Sequence, residues 1–303
     1  MKNRYLALGI AVTSSLLWTS CKEQIPSGLV LQSTASVDTT YISSTIETPQ
    51  DKVLLIEELT GATCTNCPGG TKMLKEFQDQ NPGRIIVSAL HSGFLTEPPG
   101  GAKYDFRNTD ADALKLFFNE GDPGKPSATF DRVQPSSGNS AGKYFVLKGQ
   151  TGSDWLAMVP ARLNKTTPVN IYMESDYLPA SNKGQVRIKL AFTQDYVGKM
   201  ALSLFLLENG RIDKQSDKDL GVIPDYQFNH IFRKLISPVG GDLVLDSLNT
   251  KVKGRVLEKT ILFDMQTSGI NGWNPDSCLI VAAVHRTGDS KEVIHAQEVH
   301  LKK

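Results

Sequence analysis

Two cysteines carry the most pointed chemistry in this chain. Cys64-Thr65-Asn66-Cys67 follows an apolar run from Val53 to Leu59 and precedes a stretch in which Met73, Leu74 and Phe77 fall at helical spacing. The placement matters more than the spacing. A cysteine at a helix N-terminus meets unpaired backbone N–H groups and the positive end of the helix dipole, and both favour thiolate over thiol. The thiolate is the nucleophile of disulfide exchange, and a second cysteine one turn on can resolve the mixed disulfide. Pro68 suits an early helical position, which has no N–H partner to lose. Two other chemistries compete. Structural zinc wants four ligands, usually as two close pairs. The chain has four cysteines and five histidines, with no second C-x-x-C and with its histidines scattered at His91, His230, His285, His295 and His300. No metal and no cofactor is therefore expected. An inert structural disulfide needs only an oxidising compartment. Exposure of Cys64 separates that reading from exchange, because an attacking thiol must be reachable.

The elements that must hold the pair can be read on either side of it. Val53 to Leu59 predicts a strand buried on both faces, and Arg84 to Leu90 a second one. The helix between them stops at Asn81-Pro82-Gly83, so a right-handed parallel strand–helix–strand unit is expected. A Gly/Pro-rich insertion runs from Ser92 to Asn108. A helix capped by Thr109 and running to Asn119 follows, then a short strand from Ser127 to Asp131. A last helix, capped by Ser153, is expected through Leu163, with Pro160 inside it as a residue that should kink it. Beyond Thr167 the texture is β: runs at 169–178, 185–192, 200–207, 227–235, 254–263, 278–284 and 293–301 predict an antiparallel, Ig-like sandwich. The expected domain boundary falls near 166/167.

The N-terminus reads as an export signal. Lys2 and Arg4 precede an uncharged apolar run, and Leu16-Leu17-Trp18-Thr19-Ser20-Cys21 resembles the bacterial lipobox. Residues 1–20 are thus the expected lipoprotein signal peptide and Cys21 the lipidated residue. Ser/Thr-rich 21–50 is the expected tether, with a strand in 38–47. Lipid on Cys21 anchors a protein without spanning the bilayer. Elsewhere the composition is ordinary for a folded chain: 303 residues, 40% hydrophobic, 21% charged, 33 basic against 32 acidic side chains. That balance argues against a nucleic-acid partner, which needs a basic surplus.

The order strand, C-x-x-C, helix, strand, helix and Pro-initiated strand over 52–165 resembles the thioredoxin fold. The resemblance implies an α/β thioredoxin-like domain at 51–166, followed by the all-β antiparallel sandwich at 167–303. It implies that Cys64 attacks and Cys67 resolves. Pro126, in Gly124-Lys125-Pro126-Ser127, takes the place of the cis-proline that helps hold a partner peptide. Glu58, six residues before Cys64, takes the place of a buried carboxylate that accepts the proton. In an apolar strand its pKa would be raised, as a base here needs. The plain readings are a trans turn proline and an edge-strand glutamate facing water. Thr63 stands where the family usually has tryptophan, and Thr65-Asn66 where Gly-Pro is commoner. Nearly the whole chain is similar to the outer membrane protein 28-related lipoproteins of Bacteroidetes. The likeness is carried by 57–68, Asp131-Arg132 and Asn229-His230-Ile231-Phe232-Arg233. It implies a cell-envelope, outer-membrane lipoprotein facing the periplasm or the cell surface. The expected partners are thiols and disulfides of exported proteins, or an unknown surface ligand, with the membrane reached through the N-terminal lipid. Two functions stand: thiol–disulfide oxidoreductase, or a non-catalytic, adhesin-like binding protein with a structural Cys64–Cys67 bridge.

Overall fold

The structure is a computed structural model that describes residues 36–118, 120–138 and 140–302. The expected signal peptide at 1–20, the lipidation site Cys21, the first part of the tether and Asn119 lie outside the described residues. Strand β1 (Ser36–Ile42) precedes β2 (Leu54–Thr60), which leads through the cysteine loop into α1 (Cys67–Gln80) and β3 (Ile85–His91). Then come α2 (Thr109–Phe117), β4 (Ser127–Phe130), β5 (Val146–Leu147) and α3 (Ser153–Leu163). The rest is β: β6 (Val169–Leu178), β7 (Lys183–Phe192), β8 (Tyr196–Val197), β9 (Met200–Glu208), β10 (Arg211–Asp217) and β11 (Gly221–Phe228). After them run β12 (Ile231–Leu235), β13 (Asp242–Leu243), β14 (Thr250–Lys251), β15 (Arg255–Asp264), β16 (Cys278–Arg286) and β17 (Val293–His300).

A nine-stranded mixed sheet carries the order β17-β16-β9-β12-β3-β2-β4-β5, with β13 also on β9. Strands β2 and β3 are parallel, and β4 runs antiparallel to β2. Both faces of this part are covered. Leu54 and Ile56 pack with Leu74 and Phe77 of α1 and Trp155 and Val159 of α3. Leu55 and Leu59 pack with Ala111 and Leu114 of α2. Coverage on both sides is why β2 and β3 read as unbroken apolar runs rather than alternating ones. A separate four-stranded antiparallel sheet, β1-β15-β7-β6, lies over the far end of the large one. Val186, Ile188 and Leu190 of β7 meet Leu202, Leu204 and Leu206 of β9 and Ile280 and Val284 of β16 in one core.

Two β layers therefore face each other, but the larger is a mixed sheet that does not stop at a domain edge. Strand β12 pairs antiparallel with β9 on one side and parallel with β3 on the other. Strands from both sides of the expected boundary at 166/167 share one sheet, and the described chain is one compact unit, not two. The physical reason is an edge: β3 and β12 would each present unpaired N–H and C=O groups if the halves were separate. The expected strand at 227–235 is split, because His230 sits at φ 57° between β11 and β12. The helix caps shift by one residue. Asn108, not Thr109, accepts the Ala111 N–H at 2.8 Å. Gly152, at φ 68°, precedes α3, and Ser153 is its first residue. Helix α3 continues past Pro160.

Candidate functional site

Cys67 is the first residue of α1, and Cys64 lies in the turn before it. The two are joined, with S–S 2.05 Å. Both are 1% exposed, while Thr65 and Asn66 between them face solvent. Measured against the expectation that an exchanging thiol be reachable, Cys64 is covered in this conformation. Two segments clasp the loop. From the insertion, the Leu95 carbonyl accepts the Thr63 N–H at 3.2 Å. From the second half of the chain, the β10–β11 hairpin lies across it. Ser216 N donates to Ala62 O at 2.9 Å, and Lys218 N to Thr65 O at 3.0 Å. Gln215 Nε2 donates to Gly61 O at 3.2 Å and to Cys64 O at 3.1 Å.

Gly61 makes the first contact possible, since a Cβ there would lie 2.0 Å from the Leu95 carbonyl oxygen. That obstacle is backbone and cannot swing aside. Gly61→Ala is expected to push the 92–97 segment off the loop and to cost about 1–3 kcal/mol. Urea unfolding checks it, and a loss below about 0.5 kcal/mol would show the segment to be loosely seated.

Beneath the loop, successive residues of β2 point to opposite faces. Glu57 goes to the α2 side and Glu58 to the α1 side. Glu58 is in a central strand and fully buried, so the edge-strand reading of it does not hold. Among the described residues its carboxyl accepts from the Thr71 hydroxyl, at 3.1 and 3.3 Å, and meets no cation. Burial pushes its pKa up to about 8, opposed by the Thr71 bond. Thr71 is four residues after Cys67, so the two share a helix face. Both line a small cavity of about 20 Å³, together with Thr60, His91, Gln215 and Tyr226. That is room for one water molecule. Tyr226, on β11, faces Thr71 across this cavity, and its phenol is raised to about 12 by burial and by the neighbouring Glu58. Glu58 thus reaches the cavity wall through Thr71, which shares that wall with Cys67.

The Lys125–Pro126 bond is cis. Pro126 packs against α1, since a Cβ on Gly70 would lie 2.8 Å from its ring and 3.3 Å from Glu58 Oε1. Lys125 is half-buried, with Nζ 4.5 Å from the centre of the Phe94 ring and no hydrogen-bond partner among the described residues. Burial lowers its pKa to about 8. His91 is buried against Phe106 and Phe228. Burial, with the Arg233 charge, lowers it to about 3, so it is a neutral ring at the cavity wall and supplies no positive charge to a thiolate. An open groove of about 810 Å³ runs beside the loop, between Thr65, Lys72, Pro126, Lys148 and Lys218. Cys278 is remote, fully buried and inert, its thiol raised to about 12 by burial and by Glu208.

Sequence reasoning missed Thr71, Tyr226 and Gln215. Only Thr71 had a signal, its i+4 spacing from Cys67. It also missed two buried ionic clusters. Arg132 bonds Glu57 through Nη2 at 2.7 Å and Nε at 3.0 Å. Asp131 receives Lys52 at 2.9 Å and Arg162 at 3.0 Å. Arg233 is buried against Glu208 at 2.7 Å.

An oxidised C-x-x-C pair at the head of a helix, in a mixed sheet faced by a β layer, defines a disulfide-bearing, β-rich protein. The chain belongs to the family of outer membrane protein Omp28, whose model matches residues 123–303. That membership places it in the cell envelope. The matched stretch holds Pro126, Asp131-Arg132 and 229–233, and it does not reach the cysteine pair. No curated protein matches the chain. Among solved structures, the chain is similar to HBP35 of Porphyromonas gingivalis, at TM-score 0.61 and 16% identity, over 84% of this chain and 77% of that one. That likeness is one of fold. A domain of the outer membrane lipoprotein Omp28 from Porphyromonas gingivalis matches 45% of this chain and 89% of its own, at TM-score 0.32 and 18% identity.

Proposed function

We propose that this protein is an envelope lipoprotein, anchored through Cys21, whose thioredoxin-like Cys64–Cys67 site exchanges disulfides with exported proteins. The observation that carries the reading is Glu58. A carboxyl buried without a cation is costly to ionise, and a purely structural disulfide gains nothing from it. A disulfide that opens does, because the departing sulfur leaves as a thiolate that needs a proton. In the oxidising direction a partner thiolate attacks Cys64 Sγ, and the Cys64–Cys67 bond breaks. Cys67 leaves as thiolate and takes the Glu58 proton by way of Thr71 and the cavity. The partner's second thiolate then attacks the mixed disulfide. Cys64 leaves with the electron pair, so two electrons pass from partner to protein. Pro126, beside the groove, helps seat the partner chain.

One observation favours a second reading. With Cys64 1% exposed, the bridge would serve as a staple in a non-catalytic binding protein. The experiment is a glutathione or dithiothreitol titration of the purified mature protein, read by mass-tagged alkylation. Exchange predicts a potential above about −250 mV, with Cys64 alkylated well ahead of Cys67 once reduced. A potential below about −300 mV with unreactive thiols makes the bridge structural.

A further inference from the structure

The β10–β11 hairpin has an unusual station. It forms its own two-stranded sheet and belongs to neither large sheet. Its base is fixed. Asp213 accepts the backbone N–H groups of Lys103 and Tyr104 at 2.8 and 2.7 Å, and Arg211 bonds the buried Glu208 at 2.6 Å. Its distal part is held differently. The register shifts between Asp213 and Gln215, so a bulge separates base from tip. Beyond the bulge, Lys218, Asp219, Leu220, Gly221 and Val222 are exposed. What holds this part to the cysteine loop is polar: the Ser216 and Lys218 amides and the Gln215 side chain. A two-stranded ribbon is marginal by itself, and segments held by few apolar contacts open well before the whole molecule does.

We propose that the distal half of this hairpin is a cover over the Cys64–Cys67 disulfide, and that Gln215 sets how readily a protein partner gets past it. Gln215 is a specificity-determining residue here: it is buried, and its amide ties the tip to the carbonyl of Cys64 itself. With the tip down, a macromolecular thiol cannot align with Cys64. With it lifted about the bulge, Cys64 and the adjoining groove become one surface. Small dithiols need a lesser opening than proteins do. The inference rests on the exchange reading for its purpose, since access matters most where partners must come and go.

The test is the rate of reduction of the full mature protein by two dithiols, dithiothreitol and reduced bacterial thioredoxin. In each case the dithiol is oxidised and the Cys64–Cys67 bond is reduced, with no other reactant. Gln215→Ala is expected to raise the thioredoxin rate about tenfold, the worth of roughly one hydrogen-bonded anchor, and the dithiothreitol rate less. Equal rates in variant and wild type with both reductants overturn the cover. A second measurement needs no variant: the Ser216 and Lys218 amides should exchange hydrogen far faster than those of β16, and equal protection overturns the cover as well. The potential is read separately. A strongly reducing potential with a Gln215-dependent rate removes the exchange reading and leaves the cover standing. An oxidising potential with equal rates removes the cover alone.

Discussion

Asp131→Asn is expected to destabilise the protein by about 3–5 kcal/mol, the cost of breaking a buried ion pair from one side. Asp131 is fully buried. Its Oδ1 accepts from Lys52 Nζ at 2.9 Å and from Leu55 N at 3.0 Å, and its Oδ2 accepts from Arg162 Nε at 3.0 Å. Its own backbone joins both halves, with N to Leu55 O and O from Val293 N, each at 2.8 Å. Asp131 and Arg132 take φ of 51° and 54°, a left-handed turn that aspartate tolerates better than most residues. The turn sends Asp131 back to β2 and Arg132 to Glu57. An asparagine keeps the shape but leaves two buried cations facing a neutral amide. In thermal unfolding the midpoint should fall by roughly 10 °C. Arg187→Ala is the control. Arg187 pairs with Glu174 and Asp176 at the surface and should change stability by less than about 0.5 kcal/mol. A loss below about 1 kcal/mol for Asp131→Asn would mean that the joint between the halves does not depend on this network.

The second large effect is one of pH. Glu58 has an ordinary value of 4.5 and is raised to about 8 in the fold by burial. Between those values the folded chain holds a proton that the unfolded chain has released, so stability falls as pH rises. Below 4.5 there is no penalty, and above 8 it is complete. The shift corresponds to a loss on the order of 5 kcal/mol across that window. Glu58→Gln can still meet Thr71 but does not titrate. The wild type should therefore lose stability relative to the variant between pH 5 and 8, with the disulfide intact in both. Urea unfolding at pH 5, 7 and 9 checks this. Parallel pH profiles would mean that water or movement solvates the carboxylate, and Glu58 would lose its claim to be a proton reserve for Cys67.

The pair of predictions shows which parts of this protein could be read from its chain. Cys64 and Cys67 at the mouth of a helix were visible because the signal is local: an apolar run, two cysteines, a proline and a 3.6-residue period. The strands at 169–178 and 200–207 were visible for the same reason. Glu58 was visible as a residue six before Cys64, but its burial was not, because a glutamate in an apolar run suits a wet edge as well as a central strand. Its neighbour β4, across the sheet, decides between them.

Thr71, Tyr226 and Gln215 converge on the disulfide from helix α1 and from a hairpin some 150 residues downstream of it. Tyr226 and Gln215 stand in a stretch whose pattern says only β. The boundary at 166/167 was legible as a change of texture, and texture reports local propensity, not which strand edges find each other. The sequence by itself determined the local elements and the place of the cysteine pair at the start of a helix, because each depends on residues a few positions apart. Only the tertiary structure decided that β12 closes the edge of β3, that Asp131 and Glu57 are braced by buried cations, and that Cys64 lies beneath Gln215. Those outcomes depend on burial and on partners brought together across the chain.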